Sequence, residues 1–148
     1  MMNKTFSFST DTATLVIYDL SSLKHRVSDS PDWWSIPEDE IDEINKGNVL
    51  FLNLGDDGSY TVKIIDEING DRDSFFLNVP SGDVFIGAGE DVSGGDLEPD
   101  GSDYMAGIMI KLPPGGYEVK YNRDETDISI SFSRSNCKVN NITDLIRI

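Results

Sequence analysis

Short runs in which apolar and polar residues alternate, separated by turn chemistry, dominate the chain. Residues 126–132 carry the cleanest alternation, with Ile128, Ile130 and Phe132 on one face against Ser129 and Ser131. Residues 117–121 set Tyr117, Val119 and Tyr121 against Glu118 and Lys120. Residues 59–66 set Tyr60, Val62 and Ile64 against Thr61 and Lys63. Each such period-two pattern predicts a half-buried strand. Residues 14–18 and 49–54 are short runs with a hydrophobic centre, which suits buried strands. Residues 74–79, 84–87 and 105–112 add further strands, and 142–148 a closing one with Leu145 and Ile146 as core residues.

Between these runs lie Gly55-Asp56-Asp57-Gly58, Asn69-Gly70-Asp71, Pro80-Ser81-Gly82-Asp83 and Pro113-Pro114-Gly115-Gly116. All are turn sequences, because Gly, Asn and Asp tolerate the required backbone and Pro presets it. The first predicts a hairpin joining 49–54 to 59–66. One helix is predicted over about residues 36–46. Ser35-Ile36-Pro37-Glu38 has the form of a capping box, Glu38, Asp39 and Glu40 suit the positive end of the helix dipole, and Gly47 suits a left-handed terminator. Ile41 and Ile44 share a face. About eight or nine strands with one short helix predict an all-β fold, an antiparallel β-sandwich occupying residues 1–148 as one domain.

Charge changes this picture. The chain has 148 residues and a net charge of −15. Residues 27–45 hold seven carboxylates and residues 73–110 hold eight, and neither stretch contains Lys or Arg. Such fields repel nucleic acid and anionic membranes and attract basic proteins or cations. Residues 88–103 concentrate four glycines, one proline and six acids, a composition that suits a functional loop. The single cysteine, Cys137, excludes an internal disulfide and fits a reducing cytoplasm. The first residues lack the apolar stretch of a signal peptide, and no run has the ~18 apolar residues of a membrane span. A soluble, cytoplasmic protein is the expectation.

Catalytic chemistry finds little to use. His25, the sole histidine, sits between basic neighbours without a nucleophile motif, and no catalytic signature surrounds Cys137. Carboxylates are too abundant for any pair to single itself out as a hydrolytic one. The expectation is a protein without enzymatic activity and without a cofactor. Asp91, Asp96, Glu98, Asp100 and Asp103 could wrap a calcium ion, but the D-x-[DN]-x-[DN]-G order is absent, and no metal ligand is assigned. The same five acids with Tyr104 are the first candidates for contact with a partner; Trp33 and Glu40 form a second candidate patch.

Residues 79–121 carry a resemblance. Val79-Pro80-Ser81-Gly82-Asp83-Val84-Phe85-Ile86-Gly87-Ala88-Gly89-Glu90, an acidic glycine-rich loop, and Leu112-Pro113-Pro114-Gly115-Gly116-Tyr117-Glu118-Val119 together resemble a family of small acidic β-rich bacterial proteins of the toxin-immunity type. The resemblance implies a cytoplasmic immunity protein that neutralises a cognate antibacterial toxin, a basic protein, as a monomer or weak homodimer. It supplies no catalytic residue. Two other readings stay open: a calcium- or ligand-binding β-sandwich module, and a structural subunit of a larger assembly.

Overall fold

The computed structural model describes residues 4–10, 13–19, 37–56, 58–65, 74–88, 107–136, 140, 142 and 146–147. They form ten strands and one helix: β1 (Lys4–Thr10), β2 (Thr14–Asp19), α1 (Pro37–Asn45), β3 (Leu50–Asn53), β4 (Gly58–Ile65), β5 (Ser74–Val79), β6 (Asp83–Ala88), β7 (Gly107–Lys111), β8 (Gly115–Asp124), β9 (Asp127–Arg134) and β10 (Ile146–Arg147). Two five-stranded sheets result, in the orders β1-β4-β9-β8-β5 and β10-β3-β2-β6-β7. The all-β sandwich expected from the pattern is the observed fold, with ten strands where eight or nine were expected. Most pairings are antiparallel, but β4 pairs with β9, and β10 with β3, in parallel.

The two kinds of hydrophobic pattern sort the strands between the sheets. In the first sheet, the alternating strands bury one face: Tyr60, Val62, Ile64, Val119, Ile128 and Ile130 are all buried. Thr61, Lys63, Ser129 and Lys120 stand on the other face. In the second sheet, β2 is buried along its whole length, and Leu50, Phe51 and Leu52 of β3 are as well. Strands apolar on both sides need cover on both sides, and α1 packs against β3.

That sorting overturns the predicted hairpin between 49–54 and 59–66. β3 and β4 do not pair; they belong to different sheets. A doubly buried strand and a half-exposed one cannot share one sheet environment, so Gly55 to Gly58 forms an arch across the sandwich. Its glycines adopt φ values of 90° and 140°, where side chains are strained. Pro113 to Gly115 makes a second arch from β7 to β8. The two arches close alike. Tyr60 Oη donates to Asp56 O at 2.6 Å, Tyr117 Oη donates to Pro113 O at 2.5 Å, and Arg123 and Arg134 each lie 5.4 Å from the corresponding ring.

The pattern reading also left β1 unassigned, although Phe6 and Phe8 alternate with Thr5, Ser7 and Ser9; β1 pairs with β4 over seven residues. α1 ends as predicted. Gly47 has φ 78°, and the bonds Gly47 N to Ile44 O and Asn48 N to Glu43 O complete a Schellman motif. Ser35 and Ile36 of the capping box, His25, Cys137 and Leu145 lie outside the described residues.

Candidate functional site

Strand directions bring five chain segments to one end of the sandwich. β3 finishes there at Asn53, the arch Leu54–Gly58 crosses there, and β4 and β9 both begin there. The β8–β9 hairpin turns there at Glu125 and Thr126, since Asp124 pairs with Asp127. Two contacts fasten the arch to the hairpin. Thr61 N donates to Thr126 O at 2.9 Å, and the Arg123 guanidinium donates to Leu54 O at 2.6 Å and to Glu125 O at 2.8 Å.

Arg123 is held against backbone carbonyls and the Tyr60 ring, whereas Asp56, Asp124, Glu125 and Asp127 are all exposed. Turns select acids for local reasons, and here two turns place four of them together. The paired ends Gly87 and Gly107 of β6 and β7 lie at the same end, and between them in sequence runs the acid-rich stretch 89–106. Glu38, exposed, opens α1 at this end as well. The opposite end holds Lys46, Lys111 and Arg134, and Lys46 and Lys111 pair there with Asp42 and Asp83 at 2.9 and 3.6 Å. Arg147 pairs with Asn53 at the acidic end, so four exposed acids there stand with two cations and the end is net negative, a field that attracts positive charge.

Glu40 occupies a different environment from the surface expected of it. It is 4% exposed. The buried side of α1 is Glu40, Glu43, Ile44 and Gly47, a helical face that includes two carboxylates, while Ile41 is only half-buried. Burial pushes the Glu40 carboxyl up to about 7, against a hydrogen bond from Asn53 that lowers it. Its Oε1 has no hydrogen-bond partner among the described residues. Glu43 is better served, accepting from Asn48 Nδ2 at 2.8 Å. A third buried carboxylate, Asp19 at the opposite end, accepts from Ser81 N, Ser81 Oγ and Gly82 N at 2.9, 2.7 and 2.9 Å. That cradle makes Asp19 the keystone of the Pro80–Gly82 turn.

Of the other residues singled out from sequence, Asp91, Asp96, Glu98, Asp100, Asp103, Tyr104 and Trp33 lie outside the described residues. Sequence reasoning missed Asp56, Asp124, Glu125 and Asp127, which are scattered in sequence and meet only because β4 and β9 run parallel. Among the described residues, no group of three or more His, Cys, Asp or Glu side chains could hold a metal ion. No helix among them is long and apolar enough to cross a membrane.

Comparison with known proteins adds family and fold. The family described as a family of unknown function (DUF6386) matches residues 2–148. No curated protein matches the sequence. Two solved structures share the fold. One is titled "Crocagin biosynthetic gene J", with 14% identity, covering 90% of this chain and 100% of that chain at a TM-score of 0.52. The other is ComJ from Bacillus subtilis, described as an inhibitor of the DNA-degrading activity of NucA, with 13% identity, covering 91% of this chain and 100% of that chain at a TM-score of 0.51.

Proposed function

We propose that this chain, which belongs to the DUF6386 family, is a cytoplasmic immunity protein that binds and neutralises a cognate toxin enzyme. It acts by occupation and has no catalytic role of its own. The single observation that carries the reading is the segregation of charge. Asp56, Asp124, Glu125 and Asp127, all exposed, share one end of the sandwich with the roots of the acidic stretch and outnumber the described cations there, Arg123 and Arg147. A basic toxin that handles nucleic acid offers a phosphate-binding surface, and carboxylates on a rigid end can stand in for phosphates there. The fold shared with ComJ, itself an inhibitor of a DNA-degrading protein, supports the same direction.

Fast capture is the physical requirement of immunity, since a toxin must be stopped before it turns over. Electrostatic steering raises association rates about 10- to 1,000-fold and is weakened by salt. The test is the variant Asp56→Asn/Asp124→Asn/Glu125→Gln/Asp127→Asn, alone and with Asp91, Asp96, Glu98, Asp100 and Asp103 neutralised. Its association with the cognate toxin should slow at least tenfold in low salt and lose most of its salt dependence. Unchanged on-rates, or failure of the wild-type chain to protect cells expressing that toxin, would defeat the proposal.

A further inference from the structure

The first sheet has two edges, and they are treated differently. At β5, the Asn140 carboxamide imitates a neighbouring strand: Phe76 N donates to its Oδ1 at 2.7 Å, and its Nδ2 donates to Phe76 O at 2.8 Å. Asn78 N donates to Gly47 O at 2.8 Å. That edge is closed. β1, at the other edge, lies beside β6 and β7 of the second sheet, but among the described residues no side chain or main-chain group is hydrogen-bonded to its outward main chain.

Main-chain direction along β1 follows from its partner. Thr61 N donates to Thr126 O beside β9, so Thr61 and, by alternation, Lys63 turn their main-chain groups toward β9. Tyr60, Val62 and Ile64 turn theirs toward β1, where they face Phe8, Phe6 and Lys4. Thr5, Ser7 and Ser9 consequently point N–H and C=O outward, three donors and three acceptors at two-residue spacing. Their exposed hydroxyls lie flat on the sheet: Ser9 Oγ is 2.8 Å from Ser59 Oγ, and Ser7 Oγ is 3.4 Å from Thr61 Oγ1. Natural edge strands are usually blunted by proline, bulges or charges. β1 has the regular register of a ladder, no proline, and Lys4 as its one charge.

We infer that β1 is a strand-addition edge for an extended segment of the cationic partner. This rests on the reading of a basic partner protein. Charge selects that occupant over a second copy, because two chains of −15 repel. β1 itself carries no carboxylate, and its last residue, Thr10, pairs with Gly58 in the acidic arch. A partner drawn to the acidic end would thus meet the open edge alongside it. Main-chain bonds then supply affinity and the flat hydroxyl surface tolerates varied side chains.

The probe is a blocked hexapeptide of alternating lysine and valine, titrated onto the full chain and followed by amide hydrogen exchange. Protection should rise at Thr5, Ser7 and Ser9. Ser7→Pro deletes an outward N–H and no bond to β4, so it should keep the wild-type melting temperature and weaken the peptide at least tenfold. Ser9→Pro repeats the test at a second site should Ser7→Pro fail to fold. Absence of peptide binding at millimolar concentration, full affinity in both proline variants, or protection confined to other strands would overturn strand addition. Sedimentation showing a dimer that Ser7→Pro abolishes would also overturn it, making the occupant a second copy. The four-acid variant separates the two ideas. If proline weakens the peptide while charge removal does nothing, the edge stands and the acidic-end reading falls; the reverse result spares the acidic end alone.

Discussion

Replacing Glu40 by glutamine should stabilise the protein, and more so as pH rises. The carboxyl is buried, has one oxygen without a partner, and ionises at about 7 instead of 4.5. In the unfolded chain it gives up its proton near 4.5. Below that pH both states hold the proton, and Glu40 adds no pH-dependent term. Between 4.5 and 7 the folded state holds a proton that the unfolded state has lost, so stability falls as pH rises through this window. Above 7 the loss is complete and constant. At about 1.4 kcal/mol for each tenfold change in affinity for the proton, the full penalty is about 3 kcal/mol. Glutamine keeps the shape and the contact with Asn53 and cannot ionise. Urea denaturation of both proteins at pH 4, 5.5, 7 and 8.5 gives the assay. The stability difference between them should grow by about 2–3 kcal/mol from pH 4 to 8.5, which in thermal terms is roughly 5–10 °C for a chain of this size. A pH-independent offset would arise if the new amide lacks a partner. Taking the difference cancels the other acids, Asp19 and Glu43 included. A difference that stays flat with pH would refute the assignment of a strained, proton-holding Glu40.

Three further outcomes follow from the turns. Gly82→Ala should cost about 2–4 kcal/mol, because φ is 91° and a Cβ would meet Leu112 O at 2.5 Å; a urea midpoint within error of wild type would contradict this. Asp19→Ala should cost about 3 kcal/mol or more by stranding three donors of Ser81 and Gly82. The loss should appear together with faster hydrogen exchange at those two amides. Glu125→Gly should instead stabilise by about 0.5–1 kcal/mol, since Glu125 holds φ 56° at the first turn position of the β8–β9 hairpin, where glycine is unstrained; a lower denaturation midpoint would count against it.

Sequence pattern made the strands legible because their burial is local. Ile128, Ile130 and Phe132 alternate whatever they pair with, and the hydrophobic centres of 14–18 and 49–54 mark buried strands. Pairing was less legible. Gly55-Asp56-Asp57-Gly58 reads equally as a hairpin turn or as an arch, and only the mismatch between a doubly buried β3 and a half-exposed β4 favours the arch. Burial therefore outranks turn chemistry in deciding which strands this segment joins. The face of α1 was legible only in part, through Ile44. Periodicity chose Ile41 and Ile44, whereas tertiary packing buried Glu40 and Glu43 beside Ile44, and a carboxylate leaves no hydrophobic trace.

The candidate site shows the same division. Long acid runs drew attention to residues 27–45 and 73–110, yet the described acids that cluster come from short turns 56 and 124–127, nearly seventy residues apart. What unites them is topology. A parallel β4–β9 pair starts both strands at one end, an arch and a hairpin turn therefore stand side by side, and each turn prefers Asp for its own backbone. Arg123 joins Leu54 to Glu125 through its guanidinium and still offsets one of the four acids. The cation that builds this end keeps its charge while it holds backbone carbonyls, and Arg147 stands opposite Asn53 nearby, so the four acids leave the end net negative. Replacing Arg123 should therefore both loosen the arch and deepen the negative field by one charge, whereas neutralising the acids should leave the arch intact while removing the field.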